Sequence, residues 1–544
     1  MNRPASSVTT PSGNAREVSA PMPRSRDVSN RQASSLPGRR IYVALLLLLL
    51  SVNAAAFWYD SIAKAAAPYQ LDYGEGIVLY QATKIGQLDE AYKTIDEYPF
   101  IVFHYPPLYH AATRLTGAFG ASLLMAGRLV SMASGFLIQV IIGLLVFLSC
   151  PRKLKPGPRI AAAIFAGLSV SLLDAMRWTR FARVDMLALL LSFAGVALFA
   201  ISSRRKVGQY LAFALLVAAL FTKQTMLAAP LTCITVALIA DWKRAARLCL
   251  FATVLGSTVL LGLAWATHGQ VLKHLFLYNQ NSFTLLRLLH GISDNFKTIV
   301  PLVALAATAA FSILVDALKT PRGKRLQRVR AWLEHSPYRR SITVCSILLF
   351  YAITVSLTYG KTGSNYNYFL EWNMISCALA GLVLYRALAS WRALRFWSPG
   401  PVLLLLTPIL FGLEGVPTSA VRLLPQLDRQ SIAENAERLA SHEAALKLVQ
   451  ETSGPVYSED MLLLVEAGKE VPAEPSIVTE LAGKGFWNEN LLISMIDGHR
   501  FPLIIVEDLS NRQRFTTAVA GAITRAYAPT KKIGIYQVLE PRDQ

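Results

Sequence analysis

The sequence predicts a polytopic α-helical membrane protein with a small α/β domain at its C-terminal end. Three observations predict it. The 544 residues are 53% hydrophobic and only 16% charged, with a mean hydropathy of +0.39. Apolar runs of about 18–22 residues recur along the chain, the length a helix needs to cross hydrocarbon. From residue 418 onward the pattern changes, and short apolar strands alternate with helical stretches.

Net charge is +20. Such a balance can signal nucleic-acid binding, but here the basic residues gather in short linkers between apolar runs. That is the signature of cytoplasmic loops, so nucleic acid is not an expected partner. The cysteines Cys150, Cys233, Cys249, Cys345 and Cys377 lie in or beside apolar runs without metal-type spacing. Neither a disulfide framework nor a zinc site is expected.

Residues 1–40 are rich in Ser, Pro and Arg and lack periodicity, which predicts a disordered cytoplasmic tail. The first apolar run is 41–58. It ends in Ala54-Ala55-Ala56, like a signal peptide, but the long basic leader and the many later spans favour an uncleaved helix. Arg39 and Arg40 keep the N-terminus inside, so the loop 59–120 is outside. Within it, 107–119 is short, and Arg114 interrupts it. It is read as a helix lying along the outer interface. Ten further spans follow at about 121–149, 159–175, 186–202, 208–221, 226–240, 247–266, 298–317, 341–358, 370–386 and 399–414. This scheme of about eleven spans puts every strongly basic linker on one side, including 152–155, 204–206 and 319–340. Residues 41–417 form the transmembrane domain, and 418–544 lie outside the cytoplasm. In that last part, 427–450 reads as an amphipathic helix. Residues 456–458, 503–506 and 533–539 read as strands, with helices near 460–468 and 477–498. It has no glycine-rich phosphate loop.

The candidate chemistry lies at the outer ends of the spans. Asp72 and Glu75 are three residues apart, on one face of a helical turn. Two readings stay open. The pair resembles a helix capping box, or it supplies acid–base chemistry just above a bilayer, where carboxylates are costly without a partner or a task. Arg177, Arg180 and Arg183 precede Asp185 in a short outer loop and break the charge rule. They either bind an anionic head group or close a salt-bridged loop end. Lys223 and Gln224, flanked by Thr222 and Thr225, suit a phosphate, although a boundary lysine can also simply snorkel. His104, Tyr105 and Tyr109 flank the Pro106-Pro107 pair and compete with a plain aromatic-belt reading. Asn365, Tyr368 and Glu371 form a further outer cluster, and Glu371 would open an apolar span. His274 is a weak metal-ligand candidate.

Taken together, Asp72-Tyr73-Gly74-Glu75-Gly76, Tyr105-Pro106-Pro107-Leu108-Tyr109, Arg183-Val184-Asp185-Met186, Thr222-Lys223-Gln224-Thr225 and the run Gly363 to Glu371 resemble the C-type membrane glycosyltransferase superfamily. The similarity is to bacterial enzymes of the protein O-mannosyltransferase and aminoarabinose transferase kind. Ser458-Glu459-Asp460-Met461 and Ala467-Gly468-Lys469 also look like the outer domain of such members. The resemblance implies transfer of a sugar, with inversion, from a polyprenyl-phosphate donor to a cell-envelope acceptor at the inner (plasma) membrane. By position it makes Asp72 the general base, with Glu75 and Asp185 as supporting acids. Arg180, Arg183, Lys223 and Gln224 would hold the donor phosphate. His104, Tyr105, Tyr109, Asn365, Tyr368 and Glu371 would line the substrate site. Metal use varies across that superfamily, so a divalent metal stays open. The competing readings are a lipid-linked oligosaccharide transporter, which expects mid-span charges or paired repeats, and a surface-polysaccharide polymerase or ligase, which expects its large outer loop late in the chain.

Overall fold

A computed structural model describes residues 26–151, 156–202, 205–279, 281–391 and 399–542. Residues 1–25 of the expected tail, the basic stretch 152–155, Arg204, Arg392 and Arg395 lie outside the described residues. The chain divides into a short unit, Met1–Ala44, and a large compact one, Leu45–Gln544. The first helix, Arg26–Ala65, begins fifteen residues before the expected span, so residues 26–40 of the expected disordered tail are helical.

All eleven expected apolar segments are helical. Among the described residues, seven helices are long and apolar enough to cross a membrane, and the pair Pro156–Leu172 and Asp174–Arg180, bent by 79° at its break, is so when taken together. The other three, Asp185–Ile201, Lys206–Leu220 and Ala228–Ala240, are apolar but shorter. The chain is a multi-pass membrane protein. The helix Leu370–Ala389 is its axis: 18 of its 20 residues are buried. Small residues let its neighbours approach closely, as is usual where lipid supplies no hydrophobic drive between helices. A Cβ on Gly381 would stand 2.7 Å from Ala166 Cβ and 3.1 Å from Ala162 O. Asn295 and Asn373 exchange hydrogen bonds of 3.2 and 2.8 Å across this axis. The helix Trp242–Ala266 lies at the periphery and exposes Leu250, Leu261 and Trp265.

The stretch between the first and second spans is largely ordered by helices. Gly74–Lys84 is almost wholly buried, and Leu108–Gly117 is the expected interface helix. Leu115 is exposed on it and Phe119 just past its end, the kind of apolar exposure an interfacial helix has.

The C-terminal part holds a four-stranded sheet made of β1 (Val456–Ser458), β2 (Leu503–Val506), β3 (Tyr527–Ile533) and β4 (Tyr536–Pro541). Its order is β1-β2-β4-β3. β1 and β2 pair in parallel, and the other two pairs are antiparallel. The segment expected as a single third strand is the turn and second arm of a hairpin. Ile533 pairs with Tyr536, and Gly534, at φ +55°, makes the two-residue turn that the twist of the strands favours. The expected helix 477–498 is two, Pro475–Gly483 and Asn490–Asp497. Gly485, at φ +72°, stands between them.

This sheet is not a separate body. Ile77, Val78, Tyr80, Ile101 and Phe103, between the first and second spans, share one core with Met461, Leu463, Val471, Ile505 and Val538. Phe100 N donates to Pro472 O at 2.7 Å, and Phe100 bridges Ala473 in parallel. Gly76 allows the closest approach, because a Cβ there would meet Leu462 N at 2.5 Å and Met461 Cβ at 2.9 Å. The Gly76→Ala variant is therefore expected to lower stability by about 1–3 kcal/mol through overpacking. Thermal unfolding in detergent measures it. An unchanged transition would show that the two parts do not depend on this contact.

Candidate active site

The site rests on a buried ion pair. Glu75 and Arg128 are fully buried. Glu75 Oε1 accepts from Arg128 Nε at 2.9 Å and from Ala182 N at 2.8 Å. Glu75 Oε2 accepts from Arg128 Nη2 at 2.8 Å, Leu71 N at 2.6 Å and Asp72 N at 3.3 Å. The guanidinium also donates to the carbonyls of Ala65 (3.2 Å), Ala67 and Tyr69 (2.8 Å). One pair thus ties together the end of the first helix, the Asp72 turn, the second span and the loop before Asp185. Glu75 reaches back to the turn as a capping-box glutamate does. Asp72 does not complete the box: its Oδ1 accepts from Gly74 N at 3.1 Å, and Tyr73 is the N-cap.

Asp72 is free to look the other way. Arg183 Nη1 stands 3.1 Å from Asp72 Oδ1, and Arg183 Nη2 donates to Tyr105 Oη at 3.4 Å. Gly74 is needed here, since a Cβ on it would sit 1.2 Å from Arg183 Nη1. Two residues on, Asp185 opens its helix almost fully buried. Its Oδ1 accepts from Lys223 Nζ at 2.6 Å and from Asn367 Nδ2 at 2.8 Å. Lys223 Nζ also lies 4.9 Å above the Tyr368 ring. Burial works against the charge of Arg183, but Asp72, Tyr105 and Asp185 outweigh it and hold its pKa above the ordinary arginine value. Burial likewise opposes the charge of Lys223, and Asp185 with its tyrosine neighbours raises it. Asp72, Arg183, Asp185 and Lys223, from three distant segments, therefore form one connected network.

The network is edged by buried polar atoms that have no hydrogen-bond partner among the described residues. They are Arg183 Nε, Asp185 Oδ2, Gln224 Oε1, Asn367 Oδ1, Glu371 Oε1, His104 Nδ1 and Glu474 Oε2. Unpaired buried polar groups are costly, and native proteins concentrate them where a ligand or water is bound. His104 is neutral, because burial and the Arg183 charge push its pKa down to about 3. Its carbonyl accepts from Gln224 Nε2 at 2.8 Å. The C-terminal domain covers the network from above. The Arg514 guanidinium lies 3.1 Å over the Tyr73 ring, and Ser476 N donates to Tyr73 Oη at 3.3 Å.

Other candidates are placed elsewhere. Glu75 belongs to the scaffold, with its oxygens engaged by five donors. Arg180 donates to Asp60 Oδ2 at 2.7 Å in a cluster with Lys64 and Gln426, so its charge is committed there. Tyr109 is core: its hydroxyl donates to Gly127 O at 2.8 Å. Asn365 is exposed and caps the turn Tyr366–Phe369. His274 accepts from Phe103 N at Nδ1 (3.0 Å) and bonds Lys93 O through Nε2 (2.8 Å), so both ring nitrogens are occupied. Among the described residues, no three His, Cys, Asp or Glu side chains stand together as a metal site. Sequence reasoning missed Arg128, Glu474 and Arg514. Arg128 carried a signal, being the one charged residue of the helix Leu123–Ser149. Glu474 and Arg514 carried none.

No protein-family model and no curated protein matches the sequence. Solved structures do. AglB of Archaeoglobus fulgidus, an archaeal oligosaccharyltransferase in complex with an inhibitory peptide and a dolichol-phosphate, aligns over 90% of this chain and 72% of its own, at 10% identity and TM-score 0.50. The chain shares the fold of this archaeal oligosaccharyltransferase. ArnT from Cupriavidus metallidurans, bound to undecaprenyl phosphate, covers 90% of this chain and 97% of its own, at 14% identity and TM-score 0.48.

Two predictions test this site. Arg128→Met leaves Glu75 buried and uncompensated, at an expected cost of about 3–5 kcal/mol, whereas the double change with Glu75→Gln should recover much of that loss. Thermal unfolding of the four proteins gives the coupling, and additive losses would refute it. The second concerns pH. Burial, opposed by Arg183 and Arg514, pushes the Glu474 pKa from 4.5 up to about 7. Between these values the unfolded chain has lost its proton while the folded one keeps it, so stability falls as pH rises through that window. Glu474→Gln should remove that loss, with a melting-temperature gain over wild type that is absent near pH 4.5 and complete just above pH 7. A gain independent of pH would contradict it.

Proposed function

We propose that this protein is a membrane glycosyltransferase that moves a sugar from a polyprenyl-phosphate donor to a cell-envelope acceptor. The observation that carries the reading is the convergence of Asp72, Arg183, Asp185 and Lys223 into one network beside unpaired buried polar atoms. Support also comes from the fold shared with AglB, whose solved complex holds a dolichol-phosphate. The basic linkers support a cytoplasmic N-terminus, with the site and the C-terminal domain on the outer side of the inner membrane.

In this reading the donor phosphate enters between Arg183 and Lys223, which neutralise the charge that grows as it leaves. Gln224 adds an amide beside them. Asp72 takes the proton of the acceptor hydroxyl. The acceptor oxygen bonds to the anomeric carbon as the carbon–oxygen bond to phosphate breaks on the opposite face, so the centre inverts and polyprenyl phosphate departs. Asp185 is the counter-ion that holds Lys223 in place, aided by Asn367. Tyr105 and Tyr368 wall the two cations. Glu371, buried within Coulomb reach of Lys223, has an oxygen without a partner among the described residues.

Purified protein in nanodiscs, supplied with undecaprenyl-phosphate hexoses and pentoses and an envelope extract, should release undecaprenyl phosphate. Asp72→Asn should lower turnover by about 10²–10⁴-fold with undecaprenyl phosphate binding retained. Full activity in that variant would remove Asp72 from the base role. A wild type that neither binds undecaprenyl phosphate nor releases it would overturn the reading.

A further inference from the structure

Glu474 is a carboxylate that the C-terminal domain presses against the site. The backbone on both sides of it is pinned to the first outer loop. Pro472 O accepts from Phe100 N at 2.7 Å, Ala473 bridges Phe100, and Ser476 N donates to Tyr73 Oη at 3.3 Å. The residue between these anchors has nowhere to relax. Its side chain is 5% exposed, and Oε2 is buried without a hydrogen-bond partner among the described residues. It caps nothing, although it occupies the N-cap position of the helix Pro475–Gly483. It lies within Coulomb reach of Arg183 on one side and Arg514 on the other. Tyr73 feels its charge as well.

A purely structural acid in that position would be hydrogen-bonded, as Glu75 is. Burying a carboxylate oxygen unpaired is destabilising, and the fold holds it there by contacts on both flanks. Such arrangements mark groups kept for a ligand at the expense of stability. The ligand chemistry follows from Arg183. In a polyprenyl-phosphate sugar the ring is bonded directly to the phosphate. If Arg183 takes the phosphate, the ring lies beside it, under the C-terminal domain. A carboxylate oxygen there is a strong acceptor for ring hydroxyls.

The geometry points to Glu474 as a substrate-binding carboxylate, supplied by the C-terminal domain, that accepts hydrogen bonds from hydroxyls of the donor sugar. The inference rests on the glycosyltransferase reading and deepens it, giving the C-terminal domain a direct part in sugar recognition. Glu474 binds and orients the ring, while the bond changes at the anomeric carbon remain with the groups below.

The test, run above pH 7 where Glu474 is ionised, compares two lipids on the full-length protein in nanodiscs: undecaprenyl phosphate alone, and undecaprenyl phosphate carrying glucose, mannose or arabinose. Wild type should bind at least one sugar-bearing lipid more tightly than the bare one. Glu474→Gln should bind bare undecaprenyl phosphate no more weakly, yet lose about tenfold of the preference for the sugar-bearing lipid, the size expected for a hydrogen bond to a charged group. Glu474→Asp, which keeps the charge on a shorter arm, should lose part of it. Retention of the full sugar preference in Glu474→Gln overturns the inference. So does equal weakening of both lipids, or a wild type with no preference for any of the three sugars. A wild type that does not bind bare undecaprenyl phosphate overturns the glycosyltransferase reading instead. The glutamine is isosteric, and its melting temperature above pH 7, at or above that of wild type, certifies that it is folded.

Discussion

The pair of Glu75 and Arg128 is the constraint on which the site depends. Taking two charges fully out of water costs several kcal/mol for each, and attraction alone rarely offsets that cost. Here the remaining valences are filled by backbone: three N–H groups on the glutamate and three carbonyls on the arginine. These partners come from segments that share neither a sheet nor a helix. A hydrophobic substitute could fill the same space but could not dictate which turn meets which loop. The pair therefore sets register. It holds the Asp72 turn and the Ala182 loop at fixed separation, and Arg183 can then reach Asp72 across the gap.

Beyond that frame, the site is an alternation of charge. Asp72, Arg183, Asp185 and Lys223 form a row whose signs cancel. A row of this kind holds itself in place before any ligand arrives, which lowers the reorganisation needed when an anion displaces one partner. The bent helix pair contributes to the same end. After its 79° bend the chain carries Arg180 and Arg183 to different acids. Arg180 braces the first helix through Asp60, while Arg183 is left at the edge of the network.

The C-terminal α/β part shares its core with the stretch between the first and second spans. Gly76 makes this feasible, because it brings the backbone of Leu462 onto the buried helix. The Arg514 side chain and the Ser476 backbone N–H, far along the chain, then come onto Tyr73. A roof that is bonded to the floor excludes water more firmly than a tethered one.

The membrane-spanning helices were legible in the sequence because hydrophobic runs and basic linkers report directly on transfer free energies, residue by residue. The interface helix, β1 and β2 followed from local pattern. The hairpin of β3 and β4 was missed although Gly534 marked its turn, because Ile533 to Leu539 reads as one continuous apolar strand. The site was legible only as a set of residue types at outer boundaries. Local spacing could not separate Glu75 the scaffold from Asp72 beside it, nor Arg180 from Arg183, because each assignment depends on a partner far along the chain. Arg128, Glu474 and Arg514 make the same point. By itself the sequence determined which segments are helices and which loops carry charge, since these are properties of short windows. Only the tertiary structure decided which charges meet, because pairing energies depend on distance and burial, and neither is written in any local stretch.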